Sequence, residues 1–330
     1  MTAALRVLSS LLTTVQDLGR HGMQRYGVPV SGAMDAFALQ AANRLVGNPP
    51  GAAALEITAG STAFEVLEPA LLAIAGADLG ARLDDQPFPL WTAVFARPGA
   101  QVHLPGRRGA WGARAYLAIA GGVVVPQVLG SHSTCLPGGF GGLDGRPLRP
   151  GDLLAAGERA ADPGRLAGQR WPTGMRPPYQ AAPVLRAIPG PHIDLFAPDA
   201  LEALLAQPFR ISADSNRMGY RLEGAQLRYA RPCNLPSLGV VPGALQVPPD
   251  GAPILLMADA QTTGGYPIIA VVIGADLPLA AQLLPGDALR FAFTTIEEAR
   301  AAWQELRAWS AATLEEDEGV HLIAWAGAIA

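Results

Sequence analysis

The apolar residues of this chain come in short runs, and the length of those runs is what most limits the fold. ALLAIAGA (70–77), AVFARPGAQVHL (93–104), ARAYLAIAGGVVV (113–125), APILLMA (252–258) and PIIAVVIGA (267–275) are each bounded by Gly, Pro or Asp. Short runs that are apolar or alternating, closed by turn formers, are the pattern of an all-β barrel. The 38 glycines and 30 prolines in 330 residues supply the turns such a fold requires. No window holds 18 uninterrupted apolar residues, so no membrane span is expected.

Helical signals are few. MDAFALQAANRLVGN (34–48) places Met34, Phe37, Ala38, Ala41 and Leu45 on one face, with Gly47-Asn48 as the stop. Residues 197–206 form a second short helix with Pro198 near its start. A third starts at Thr295, with Glu298 three residues later completing a capping box, and runs to about Ala312.

A weak internal echo accompanies the strands. LAIAGADL (72–79) is matched by AVVIGADL (270–277), and RPGAQVHL (97–104) by LPGDALRF (284–291). Either such turns recur by chance in Ala/Gly-rich sequence, or two related β-barrels lie in tandem. The tandem reading gives a first barrel over 1–157, a Pro/Gly/Arg-rich linker over 158–183, a second barrel over 184–295, and a C-terminal helix and tail over 296–330.

All 24 basic residues are arginine, and the absence of lysine removes a P-loop, a Schiff-base or a biotin-bearing lysine from this chain. Two cysteines, Cys135 and Cys233, fit a reduced cytoplasmic protein without a disulfide framework. A net charge of −4 and the lack of a basic run argue against a nucleic-acid surface. The five histidines are scattered without metal-ligand spacing, so no metal site is expected. Neither G-x-S-x-G nor G-x-G-x-x-G before a helix is present. Any chemistry must rest on arginines, carboxylates, amides and hydroxyls.

Those groups concentrate in four blocks. In TVQDLGRHGMQRYGVPVSGAMD (14–35), Gln16, Asp17 and Arg20 sit among glycines, while Ser31 and Asp35 either cap the first helix or help bind an anion at its N-terminus. In LGSHSTCLPGGFGGLDGR (129–146), Ser131, Ser133 and Thr134 precede a glycine run that is either a loop over a ligand or a surface loop. In SADSNRMGYRLEG (212–224), Arg217 and Arg221 suit a planar oxyanion, or pair structurally with Asp214 and Glu223. The fourth, VVPGALQVPPDGAPILLMADAQTTGGYP (240–267), holds Gln246, Asp259, Gln261, Thr262, Thr263 and Tyr266. Its DAQTTGGYP loop carries far more hydrogen-bonding capacity than a turn between apolar runs needs, which marks it as functional.

These blocks, in this order, resemble the biotin-dependent carboxyltransferase family, which includes allophanate hydrolase subunit 2, Kip-type kinase-inhibitor antagonists and 5-oxoprolinase C subunits. The matching stretches include TVQDLGRHG, GVPVSGAMD, ANRLVGNPPGAAALE, ARAYLAIAGG, VLGSHST, FGGLDGRPLRPGD, SNRMGYRLEG and GALQVPPDGAPILLMADAQTTGGYP, and they run from about residue 5 to 293. The resemblance implies a mainly β fold of two tandem cyclophilin-like β-barrels with a few short helices. It implies a B subunit sharing a composite active site. It also implies an A subunit, which completes an ATP-dependent enzyme that opens 5-oxo-L-proline to L-glutamate. Alternatives within the resemblance are carboxyl transfer to urea or a related amide, with biotin carried on another chain, and regulation of a kinase inhibitor. For a poorly reactive amide carbonyl, residue chemistry assigns Arg217 and Arg221 to anion binding and Asp259 to proton transfer or orientation. Gln246, Gln261 and Thr262 go to carbonyl contacts. Thr263, Tyr266, Ser131, Ser133, Asp17 and Arg20 complete the expected substrate-binding set.

Overall fold

The computed structural model describes residues 2–159, 163–231 and 235–316. They form two compact units, the first built from 2–19, 35–176 and 308–316, the second from 20–34 and 177–307. The chain is mainly β, and no helix among the described residues is long and apolar enough to cross a membrane.

In the first unit a seven-stranded sheet runs in the order Val123–Val124, Leu153–Ala156, Ala3–Ser9, Thr62–Val66, Gln101–Leu104, Arg82–Leu83 and Gln86–Pro87. A five-stranded sheet runs Thr13–Gln16, Ala54–Thr58, Arg114–Ile119, Ala70–Gly76 and Ala93–Ala96. Both sheets send alternate side chains into one core: Leu5, Val7, Phe64 and Val102 from the first, Val15, Leu55, Ile57, Leu72, Ile74 and Leu117 from the second. Two-residue alternation explains why Ala70–Gly76 is buried throughout. Leu72 and Ile74 fill the inter-sheet core, while the other face of the strand lies under helix Ala36–Leu45. That face carries Leu71, Ala73 and Ala75, and at Gly76 (φ +98°) an added Cβ would sit 2.5 Å from the Arg114 carbonyl.

The helix begins where the sequence predicts it. Asp35 Oδ1 accepts from Ala38 N at 3.0 Å, which caps the first turn, and Gly47 follows the last turn with φ +76°. Met34, which the helical period put on the same face as Phe37, departs from that expectation: it precedes the cap and is buried in the core of the second unit.

The second unit is a closed seven-stranded barrel in the order Val184–Pro189, Ile268–Val272, Ala244–Gln246, Ile254–Leu256, Gly219–Glu223, Phe209–Ile211 and Ala288–Phe293. All pairs are antiparallel except Val184–Pro189 with Ala288–Phe293. Leu185, Phe209, Tyr220, Leu222, Leu245, Leu255, Ile269 and Phe291 fill its interior. Helix Pro198–Ala206 carries its proline in the first turn, as predicted. Helix Ile296–Trp309 starts from the predicted box: Glu298 N donates to Thr295 Oγ1 at 3.1 Å, and Thr295 N donates to Glu298 Oε2 at 3.0 Å.

Part of the segment expected as a linker is knitted into the first unit. Trp171 is fully buried, its backbone N–H reaches the Trp91 carbonyl at 2.8 Å, and its ring meets Phe37 edge-on at 5.7 Å. Gln169–Arg170 also pairs with Glu315–Glu316. A large aromatic side chain provides the apolar area that holds an otherwise Pro/Gly-rich stretch in place. The apolar HLIAWAGAIA tail (321–330), residues 317–320 and Cys233 lie outside the described residues.

Candidate functional site

Two polar clusters, one in each unit, contain most of the residues singled out from sequence. In the first unit, strand Thr13–Gln16 ends at Asp17, which is 6% exposed. Asp17 Oδ1 accepts from Ser131 Oγ (2.7 Å), Ser133 Oγ and Gly19 N (2.7 Å), and Oδ2 accepts from His132 N (2.6 Å). Asp17 N in turn donates to Ser133 Oγ at 3.0 Å. Burial pushes the carboxyl up, but the two hydroxyls and two backbone N–H groups outweigh it and hold it below the ordinary carboxylate value. Ser131, Ser133 and Asp17 are thus mutual partners.

The glycine run that follows is compact rather than draped. An added Cβ on Gly142 (φ +55°) would fall 1.9 Å from Thr134 Oγ1, and on Gly145 (φ +67°) 2.1 Å from the Gly139 carbonyl. These glycines are required where the chain crowds itself.

A buried polar group on the five-stranded sheet escaped the sequence reading. Tyr116 OH donates to Glu56 Oε2 at 2.7 Å and accepts from Asp35 N at 2.8 Å, while Arg114 Nε lies 3.7 Å from Glu56 Oε1. Burial first, then the charges of Glu56 and Asp35, push the phenol well above its usual range. The signal was available in ARAYLAI: with Ala115, Leu117 and Ile119 facing the core, Arg114 and Tyr116 must share the opposite face.

In the second unit, Arg217 and Asp259 form a buried, forked ion pair. Nε donates to Oδ2 at 2.9 Å and Nη2 to Oδ1 at 3.2 Å. Nη2 also reaches the Gly32 carbonyl at 2.6 Å, and Asp259 N donates to the Arg217 carbonyl at 2.9 Å. Segment 20–34 therefore belongs to this cluster: Ser31 N donates to the Ala258 carbonyl at 3.0 Å, and Arg20, itself buried, donates its backbone N–H to Val30 O at 2.8 Å. The carboxylate that Arg217 forks across is thus Asp259, 42 residues on, rather than a near neighbour in sequence. Arg221 stands apart from Arg217, on the exposed face of strand Gly219–Glu223, where inward Tyr220 and Leu222 alternate with outward Arg221 and Glu223.

The DAQTTGGYP loop lies against the outside of the barrel. Leu245 points inward, so Ala244 and Gln246 face outward, and Ala244, Leu256, Ala260 and Ile268 form a small second core with Leu238 and Val240. Thr263–Gly264 pairs with Leu238–Gly239, and Gln261 Nε2 donates to Gln246 Oε1 at 3.2 Å. Gln246 is buried, and its Nε2 has no acceptor among the described residues. The backbone of Gly264 lies against that amide, since an added Cβ would fall 2.5 Å from Nε2. Thr262 is half-buried, while Thr263 and Tyr266 are exposed. The loop is pinned at Asp259, Gln261 and Thr263–Gly264, and shows solvent a hydroxyl and a phenol beside the half-buried amide of Gln261 and the buried amide of Gln246.

The chain is thus a mainly β protein with an amide-bearing loop folded on the wall of a closed barrel in one unit and a buried carboxylate organising a loop of the other. The family model for the carboxyltransferase domain, subdomain A and B, matches residues 26–293, and the chain belongs to that family. It is 43% identical over 302 residues to the 5-oxoprolinase C subunit of Escherichia coli, covering 91% of this chain and 94% of that one. The Haemophilus influenzae 5-oxoprolinase C subunit is 37% identical over 286 residues, 87% of this chain and 89% of that protein. Among solved structures, the K. lactis urea amidolyase superposes with a TM-score of 0.85 at 30% identity over 93% of this chain, which spans only 20% of that longer polypeptide.

Proposed function

We propose that this chain is the C subunit of an ATP-dependent 5-oxoprolinase, acting with a B and an A subunit to open 5-oxo-L-proline to L-glutamate. The observation that carries the reading is the 43% identity to the Escherichia coli C subunit over nearly the whole length of both chains. The lactam carbonyl is deactivated by its nitrogen, so the reaction needs activation of that oxygen, with ATP supplied to the complex, and donors placed for the charge that develops there. Gln246 Nε2 is a buried donor lacking an acceptor, and a substrate carbonyl fits it. Gln261, Thr262 and Thr263 line the approach and Tyr266 offers a ring face at its edge.

Arg221, an exposed cation, is assigned to the substrate carboxylate. Both oxygens of Asp259 are engaged by Arg217, which favours orientation of the loop over proton transfer as the role of the pair. Asp17, Ser131 and Ser133 act by fixing their loop, and Arg20 by fixing segment 20–34. Cytoplasmic location accompanies this reading.

The test is reconstitution. Glutamate release coupled to ATP hydrolysis is expected from the three co-purified subunits with 5-oxo-L-proline, and not when this chain is left out. An assembled complex without lactam-dependent turnover overturns the reading. A second reading, carboxyl transfer to urea with biotin on another chain, is favoured by the TM-score of 0.85 to a urea amidolyase. Urea-dependent turnover in the same assay distinguishes it.

A further inference from the structure

A cleft of about 480 Å³ opens in the first unit beside the Asp17 cluster, and it has a built-in acceptor. Among the described residues that line it, Asp17 and His132 are the only ones with titratable side chains, and there is no arginine. Ser131, Ser133 and Thr134 are fully buried, so His132 is the member of SHST left half-exposed. Its loop is fixed: Thr134 N and Oγ1 both donate to the Val15 carbonyl, at 2.9 and 3.0 Å, and Asp17 holds the His132 backbone N–H.

The imidazole is fixed as well. His132 Nδ1 lies 2.9 Å from the Val125 carbonyl, which can only accept. In the neutral ring the proton is therefore on Nδ1 and the lone pair on Nε2. Nε2 has no protein partner among the described residues. Gly121 and Gly122 present one wall without side chains, and Leu18, Pro49 and Val123 make others apolar.

We propose that this cleft binds a compact, neutral amide ring through its N–H, with His132 Nε2 as the acceptor. An anion would face the Asp17 carboxylate with no cation in the lining to offset it. An ammonium would lose its hydration against apolar walls, and Asp17 already accepts four hydrogen bonds, so it offers no ready ion-pair site. A flat neutral ring fits the glycine wall, and its N–H fits the unused imidazole nitrogen. The inference stands on the cleft alone and is independent of the 5-oxoprolinase reading.

The test is a titration of the full chain with 2-pyrrolidinone, N-methyl-2-pyrrolidinone and 5-oxo-L-proline, following histidine side chains by nitrogen-15 NMR, with His132→Gln to assign the signal. The neutral lactam is expected to shift His132 Nε2. The N-methyl analogue, which keeps the ring and loses the N–H, is expected to bind about 5-fold more weakly, the effect of one hydrogen bond. The carboxylated lactam is expected to leave His132 unmoved. Equal binding of the two neutral lactams, no shift at His132, or a larger His132 response to the anion would overturn the proposal. The affinity comparison of the two neutral lactams uses the unmutated chain and needs no signal assignment, so it holds whether or not His132→Gln folds. Glutamate turnover by the complex bears on the proposed function and not on this cleft.

Discussion

Asp17 and Asp259 are both buried carboxylates just beyond the end of a strand, yet one is satisfied by neutral donors and the other by a cation. Around Asp17, two hydroxyls and two backbone N–H groups share the work, and the negative charge remains. Around Asp259, one guanidinium forks across both oxygens and neutralises it. The difference teaches how each loop is held. The Asp17 loop is fastened by several weak ties, each replaceable. The DAQTTGGYP loop starts from a single strong pair whose halves depend on one another.

The largest expected effect comes from breaking that pair. Arg217→Ala leaves Asp259 buried without its cation and should destabilise the protein by about 3–5 kcal/mol in chemical denaturation. A combined Arg217→Met, Asp259→Leu variant should recover much of that loss; a double-variant loss equal to the sum of the two single losses would mean that the partners act independently. Next comes Asp17→Asn, expected to cost about 1–3 kcal/mol, because the amide keeps one acceptor and turns a donor toward Ser131, Ser133 and His132.

The pH dependence sharpens the contrast. The folded-state pKa of Asp17 is depressed, so its contribution is fully present above the unfolded carboxyl value of about 3.9 and is lost as pH falls through the lower folded value. The stability gap between the parent and Asp17→Asn should therefore be constant near neutrality and shrink below about pH 4. A gap that stays unchanged into strong acid would contradict the assignment of those hydrogen bonds to the ionised form. Smallest is Ser131→Ala, about 1 kcal/mol, since the other donors to Asp17 remain.

Much of this architecture is legible along the chain, where partners are close in sequence. The capping box of Thr295 and Glu298, the Asp35 cap and the Gly47 stop are local and were readable. The short strands follow from period-two alternation and turn formers. Pairing over long sequence distances is a different matter. Asp214 and Glu223 are near in sequence, yet the carboxylate that Arg217 forks across lies 42 residues away, brought there because Gly219 and Leu256 are paired on neighbouring strands of the barrel. Tyr116 and Glu56, 60 residues apart, meet through the register of two adjacent strands. Residues 20–34 read as a loop of the first unit, yet Met34 fills the second unit's core and Gly32 binds Arg217, contacts that no local pattern encodes. The polar excess of DAQTTGGYP was visible, but not its division into buried ties and an exposed rim.

The central claim is that this loop carries substrate contacts in a 5-oxoprolinase complex, and Gln261 is the residue that tests it most directly. Gln261 is half-buried and bonded through one amide to Gln246, so Gln261→Ala can be made without exposing the core. The measurement is kcat/KM for glutamate release from 5-oxo-L-proline by the assembled complex, with assembly checked by size-exclusion chromatography. The account predicts a fall of about tenfold with the complex intact. An intact complex with unchanged kcat/KM would contradict it.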